Sequence, residues 1–132
     1  MDKPLPVVDE LNRPYWEATR EGRLVLQHCT MCGLFQFYPR PFCLRCAAGE
    51  LEWKDASGDG RLHTFSVVHR TADRAFADDV PYVFAVVELE EGPRITVNVV
   101  DTPLTQLRCD LPVRIVFTEV GDVVVPNARG VR

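Results

Sequence analysis

Lysine is nearly missing from this sequence: of 15 basic residues set against 19 acidic ones, only Lys3 and Lys54 are lysines, and the net charge is −4. The deficit is even, residues 1–60 carrying 7 bases and 9 acids and residues 61–132 carrying 8 and 10. With neither half basic, bulk electrostatics leave no footprint for nucleic acid, and a phosphorylated ligand would have to be met by a local group of arginines. Long apolar runs are missing as well. Nothing approaches the roughly 18 residues that a spanning helix needs, and the start MDKPLPVVDE lacks the basic-then-apolar order of a secretory leader, so the expected compartment is the cytoplasm and no membrane partner is expected. The nucleophile elbow GxSxG, the zinc-protease HExxH and the phosphate loop are all absent. At 132 residues the chain is also too short for a large self-contained catalytic fold.

What the sequence does have is cysteine in a meaningful order. Five fall at 29, 32, 43, 46 and 109, giving Cys-x2-Cys, ten residues, Cys-x2-Cys and one distant outlier. Thiolates two residues apart on a tight turn can reach one ion together, and a second such pair completes a tetrahedron, so Cys29, Cys32, Cys43 and Cys46 read as a metal site. Four thiolates leave no open position for water, which makes the site structural rather than catalytic. Zinc is the expected ion. Iron in a rubredoxin-like site suits the same ligands, and two disulfides in a secreted domain are the other alternative, although that pairing leaves one cysteine over. Gly33 follows the first pair, where the turn favours a residue tolerant of positive φ, while the second pair has Ala47 and then Gly49. His28 beside Cys29 reads as a neighbour of the site rather than a fifth ligand. Cys109 reads as a buried small hydrophobe or an incidental thiol.

Hydrophobic period divides the rest. Leu11, Tyr15 and Ala18 recur at helical spacing, with Asn12 at the cap position, Pro14 in the first turn and Gly22 at the end, which predicts a short docking helix. The segment 23–27 reads as the strand entering the first knuckle, and Phe35 and Phe37 as a ribbon strand stopped by Pro39 and Pro41. Arg40 is held outward between those prolines, a placement suited to phosphate as well as to solvent. After a turn at 57–60, five strand candidates at 62–69, 81–90, 94–100, 113–120 and 123–126 predict a small partly open barrel of the OB type, with an SH3-like barrel or an open sandwich as competing topologies. The fold class is therefore mainly β, divided into a helical lead-in at 1–22, a metal ribbon at 23–56 and a barrel at 57–132. The long connection 70–80 carries Arg70, Arg74 and Phe76 and runs into Tyr82, and loops of this length in small barrels are often functional. His63 and His69 have no placed serine, cysteine or carboxylate partner, so they do not make a hydrolytic arrangement.

The ordered segments PYWEATREGRLVLQHCTMCG, FYPRPFCLRC, LEWKDASGDGRLHTFSVVHR and VPYVFAVVELEEG resemble the DUF35 family, in which a rubredoxin-like zinc ribbon precedes an OB-fold domain. The resemblance runs from about Asn12 to about Pro126, with Leu44 and Asp110 standing where family members usually carry proline and often carry glycine. It implies a small accessory subunit of a thiolase-superfamily acyl-CoA enzyme. The expected partner is a lipid-transfer-protein-like aldolase acting on steroid side-chain or related 3-hydroxyacyl-CoA esters, or a thiolase or acyltransferase assembly. The large subunit would then supply the chemistry and this chain acyl-CoA ester binding and support, with no catalytic residue of its own. On that reading Arg40, Arg70, Arg74, Phe76 and Tyr82 are candidate contacts to CoA or partner. A single-stranded nucleic-acid-binding ribbon and barrel is the alternative from another class.

Overall fold

The computed structural model describes residues 5–47 and 49–131. Helix α1 (Arg13–Arg20) starts with Pro14 in its first turn and closes at Gly22, whose φ of +74° lets the N–H groups of Gly22 and Arg23 turn back onto the carbonyls of Thr19 and Ala18. Asn12 occupies the cap position, but its side chain does not cap the helix. It exchanges hydrogen bonds with Asp9 instead, each side chain accepting from the other's backbone N–H, and donates onward to Val7 O and to the Tyr38 hydroxyl. The helix is too short to stand by itself, and its buried face of Tyr15, Ala18 and Thr19 shows where it docks.

Strands β1 (Val25–Cys29), β2 (Phe35–Gln36) and β3 (Leu51–Asp55) form a three-stranded antiparallel sheet in the order β2-β1-β3. Strand β3 was not predicted, because LEWKD has little β character of its own and becomes a strand by pairing along all of β1, from Val25↔Asp55 to Cys29↔Leu51. Strands β4 (Asp59–Val68), β5 (Tyr82–Leu89), β6 (Arg94–Val100), β7 (Pro112–Val120) and β8 (Val123–Gly130) close a barrel in the order β4-β5-β6-β8-β7. This is the five-stranded OB barrel expected from the strand pattern, with two boundaries moved by tertiary pairing. Strand β4 begins three residues earlier than the pattern implied, since Asp59 and Gly60 already pair with β7. Strand β8 runs four residues further, since the polar run Asn127–Gly130 is held by β7 and, at Ala128 and Arg129, by parallel pairing with β6.

Alternation along the strands sets the inside of the barrel. Leu62, Val83, Ala85, Val87, Leu89, Ile95, Val97, Val99, Val113 and Ile115 are buried, and one continuous cluster joins them to Leu24 and Leu26 of the ribbon and to Tyr15 of α1. Ribbon, helix and barrel thus share one core, and α1 is its bridge. Tyr15 packs against the rings of Phe37 and Tyr38, Trp16 Nε1 donates to the Tyr38 hydroxyl at 3.3 Å, and Arg20 reaches the carbonyl of Asp122 in the β7–β8 turn. Burial, and then the neighbouring Tyr38, push the Tyr15 phenol far above its usual range, so it is neutral at any physiological pH. No helix among the described residues is long and apolar enough to cross a membrane.

Candidate functional site

The two knuckles bring their thiols to one point. The Sγ atoms of Cys29, Cys32, Cys43 and Cys46 all lie within 4.8 Å of one another, with Cys29–Cys46 and Cys32–Cys43 each at 3.6 Å. A tetrahedron of thiolates at about 2.3 Å from zinc has edges of about 3.8 Å, so the donor set fits the ion in number, chemistry and spacing. The backbone is built for this. Gly33 N–H closes the first turn onto Cys29 O and Ala47 N–H closes the second onto Cys43 O, both at 2.9 Å. Gly33 sits at φ +79°, as its position after the first pair requires, and Ala47 takes the equivalent left-handed conformation at φ +61° without being glycine. Cys32 ionises at about 6, mainly because the backbone N–H of Leu34 points at its sulfur, with Arg45 helping; the Cys46 N–H lowers Cys43 in the same way. His28 turns away from the centre, its Nδ1 lying 2.8 Å from Glu52 Oε1 and its ring tilted over Phe35.

A pair of buried amides stiffens the segment between the knuckles. Gln27 and Gln36 face each other across β1 and β2, with Gln36 Nε2 donating to Gln27 Oε1 at 2.9 Å. Gln27 also grips both backbone groups of Arg40, accepting from its N–H at 2.8 Å and donating to its carbonyl at 2.9 Å. Gln36 does the same for the next turn, donating to Phe42 O and accepting from Leu44 N–H. The result is a fixed backbone at Arg40 with its side chain exposed, as the flanking prolines suggested.

A second feature lies on the outer face of the barrel. Since Val97 and Val99 of β6 and Ala128 of β8 point inward, Asn98, Val100, Val125 and Asn127 point outward. They meet where the β6–β8 seam is only two pairs long, and the next rung is made by a side chain: Asn127 Oδ1 accepts from Asn98 N–H, and Asn127 Nδ2 donates to Thr118 Oγ1. Around this rung lies a groove of about 720 Å³, walled by Thr118, Val120 and Val125 of the β7–β8 hairpin, by the 101–104 turn, by Leu5 and Pro6, by Phe76 and Asp79 of the 70–80 connection and by Tyr82 at the start of β5. Phe76 and Tyr82 stand with ring centroids 6.1 Å apart. The central strands and flanking loops of an OB barrel are where this fold generally receives ligands.

The candidate contacts therefore separate. Phe76 and Tyr82 line the groove, whereas Arg70 and Arg74 lie exposed on the same connection outside its lining, and Arg40 belongs to the ribbon. Sequence reading missed Asn98, Thr118 and Asn127. The signal that could have found them is that Val100, Val120 and Val125 are apolar at outward positions, where a solvated barrel would carry polar residues. His63, at a bulge in β4, and His69 are both exposed, and Cys109 is exposed in the turn before β7.

Comparison with known proteins bears on both features. Residues 16–52 match the family profile described as ChsH2, rubredoxin-like zinc ribbon domain, and residues 53–118 match that described as ChsH2, C-terminal OB-fold domain. A DUF35 domain-containing scaffold protein of Methanothermobacter thermautotrophicus is 41% identical over 117 residues, covering 88% of this chain and 87% of that one. A probable enoyl-CoA hydratase alpha subunit of Thermomonospora curvata is 32% identical over 84% of this chain, which spans only 34% of that protein. Among solved structures, the Ltp2-ChsH2(DUF35) aldolase aligns with a TM-score of 0.85 at 30% identity, covering 96% of this chain and 98% of that chain. A DUF35 protein of unknown function from Sulfolobus solfataricus aligns at 0.65 with 8% identity, covering 92% of this chain and 86% of that one, which shows the shared fold alone. The four-cysteine ribbon is a structural zinc site joined to an OB barrel, and the chain belongs to the DUF35 family.

Proposed function

We propose that this protein is a small accessory subunit of a thiolase-like acyl-CoA enzyme, and that the enzyme is an aldolase acting on 3-hydroxyacyl-CoA esters, steroid side-chain esters among them. The observation that carries this reading is the near full-length likeness, at 30% identity and a TM-score of 0.85, to the chain of an aldolase whose description pairs Ltp2 with a DUF35 component. The placement of side chains supports it. The zinc site is saturated by thiolates, and His63, His69 and Cys109 are exposed, so on this reading the chain offers binding surfaces while its partner offers the base. In the retro-aldol step that base takes the proton of the β-hydroxyl. The bond between the α and β carbons breaks, and its electron pair passes to the α carbon, which is reprotonated. A ketone or aldehyde and a shortened acyl-CoA are released. The groove also argues against the nucleic-acid alternative, because among the described residues no basic side chain lines it.

Co-expression with a thiolase-like protein from the same cell tests the proposal. The two should co-purify and cleave a 3-hydroxyacyl-CoA together, with neither active by itself. Full activity of the large protein in the absence of this chain would overturn the reading.

A further inference from the structure

We propose that the ribbon carries an oxidative modification site: Cys46 is the thiolate that a hydroperoxide attacks, Cys29 resolves the product as a disulfide across the two knuckles, and the metal is released. This concerns the ribbon's own thiolates and does not depend on the accessory-subunit reading.

Burial ranks the four sulfur ligands. Cys29 and Cys43 are 0% and 1% exposed, Cys32 is intermediate, and Cys46 alone of the four is exposed. Oxidation of a thiolate follows its exposure to the reagent, so access selects Cys46. Backbone placement makes Cys46 the more movable ligand as well. Cys29 is the last residue of β1, paired with Leu51, and Thr30 N–H continues that ladder onto Glu50 O at 2.9 Å. Cys46 lies instead in the turn that Ala47 closes at φ +61°, a left-handed conformation that a side chain disfavours and that Gly33 supplies without strain in the first knuckle. The exposed ligand therefore belongs to the strained knuckle, and the sulfur beside it belongs to the fixed sheet.

Distance names the resolving thiol. Cys46 Sγ lies 3.6 Å from Cys29 Sγ, while Cys43 Sγ lies 3.6 Å from Cys32 Sγ. In the first step the Cys46 sulfur attacks one oxygen of hydrogen peroxide, the O–O bond breaks, and a sulfenic acid and a hydroxide ion form. In the second the Cys29 sulfur attacks the sulfenic sulfur, the S–S bond forms, the S–O bond breaks and a second hydroxide leaves. Two thiolates have then lost two electrons to one peroxide, which ends as two hydroxide ions. Disulfide sulfurs carry no negative charge, so half of the donor set is gone, and Cys32 and Cys43 by themselves do not complete a tetrahedral site.

The zinc-loaded full chain tests this when treated with hydrogen peroxide, a colorimetric chelator reporting the metal and non-reducing mass spectrometry the linkage. Cys109, exposed but outside the cluster, is first replaced in a Cys109→Ser parent. One ion should leave per disulfide formed, and the first crosslink should join Cys46 to Cys29. Trypsin cuts after Arg45, so any disulfide of Cys46 appears as a link between two peptides. Cys46→His keeps four zinc ligands and removes the exposed thiolate; it should slow peroxide-driven release at least roughly tenfold, whereas Cys32→His should release metal at near the parent rate. The linkage map needs neither ligand variant, so it decides the outcome by itself if those variants hold zinc poorly. A first disulfide between Cys43 and Cys46, or one that leaves Cys46 out, would overturn the proposal, and so would release from zinc-loaded Cys46→His as fast as from the parent.

Discussion

Removing the metal should release the knuckles and spare the rest of the molecule. Between residues 29 and 47 the buried apolar side chains are Cys29, Pro39 and Cys43 alone, with Phe35 and Phe37 partly packed and the buried Gln36 amide serving the backbone. Little apolar burial therefore opposes the ordering cost of about 1–2 kcal/mol per residue once the ion is gone. A structural zinc contributes on the order of 10–16 kcal/mol to such a unit, as much as the whole stability of many domains. Strand β1 is anchored differently, since Leu24 and Leu26 belong to the core shared with the barrel and β1 pairs with β3 along its full length. Hydrogen exchange with and without chelator, or in Cys32→Ser, reads the difference amide by amide. The N–H groups of Gly33, Leu44 and Ala47, which close the knuckle turns, should lose roughly a thousandfold or more of their protection, the equivalent of about 4 kcal/mol. Amides of β5 and β6 should keep theirs. Unchanged protection at Gly33 and Ala47 in metal-free protein would refute the argument, as would concerted loss across β5, which would mean that metal and barrel form one cooperative unit.

Three further outcomes follow from single contacts. In Gly60→Ala the new Cβ would lie 2.6 Å from Glu88 O and 2.9 Å from Val87 Cγ1 on a strand paired on both sides, so the barrel should lose about 3 kcal/mol, read as a melting temperature lowered by roughly 10 °C. Gln27→Leu leaves both backbone groups of Arg40 without their partner and should cost about 2 kcal/mol in denaturant unfolding, with faster metal loss to a chelator. Acidification should release zinc. Because the folded Cys32 thiol ionises at about 6, below its ordinary value, its contribution is present above the unfolded thiol value and lost as pH falls through about 6, so a colorimetric chelator should report release with a midpoint at or below pH 6 and none near pH 8.

Parts of this molecule were legible because their chemistry is local. A tetrahedral ion dictates the Cys-x2-Cys pairs, and the φ that Gly33 needs is written beside the first pair; the second pair hides the same need, because Ala47 pays for the left-handed turn with strain instead of being replaced by glycine. Asp110 repeats this before β7 at φ +67°. Strands that alternate on one face, such as β5 and β6, were read to within a residue or two. Those that exist by pairing were not: β3 has no pattern apart from β1, and the end of β8 is polar in sequence and buried at Asn127 and Ala128 only because β6 and β7 flank it.

The groove was invisible for a stronger reason. Its walls come from the 70–80 connection, β6, the 101–104 turn and the β7–β8 hairpin, so no window of sequence contains it. Two of its residues, Phe76 and Tyr82, were singled out as contacts, and they were grouped with Arg70 and Arg74 because all four lie on or beside one loop. The structure separates that group: Phe76 and Tyr82 line the groove together with Asp79 and Asp101, whereas Arg70 and Arg74 are exposed outside its lining. On the accessory-subunit proposal Arg70 and Arg74 are candidate phosphate contacts, and Arg70→Ala/Arg74→Ala should then weaken coenzyme A and its long-chain ester by the same factor, since both carry the phosphates. Unchanged affinity for both ligands would remove that assignment.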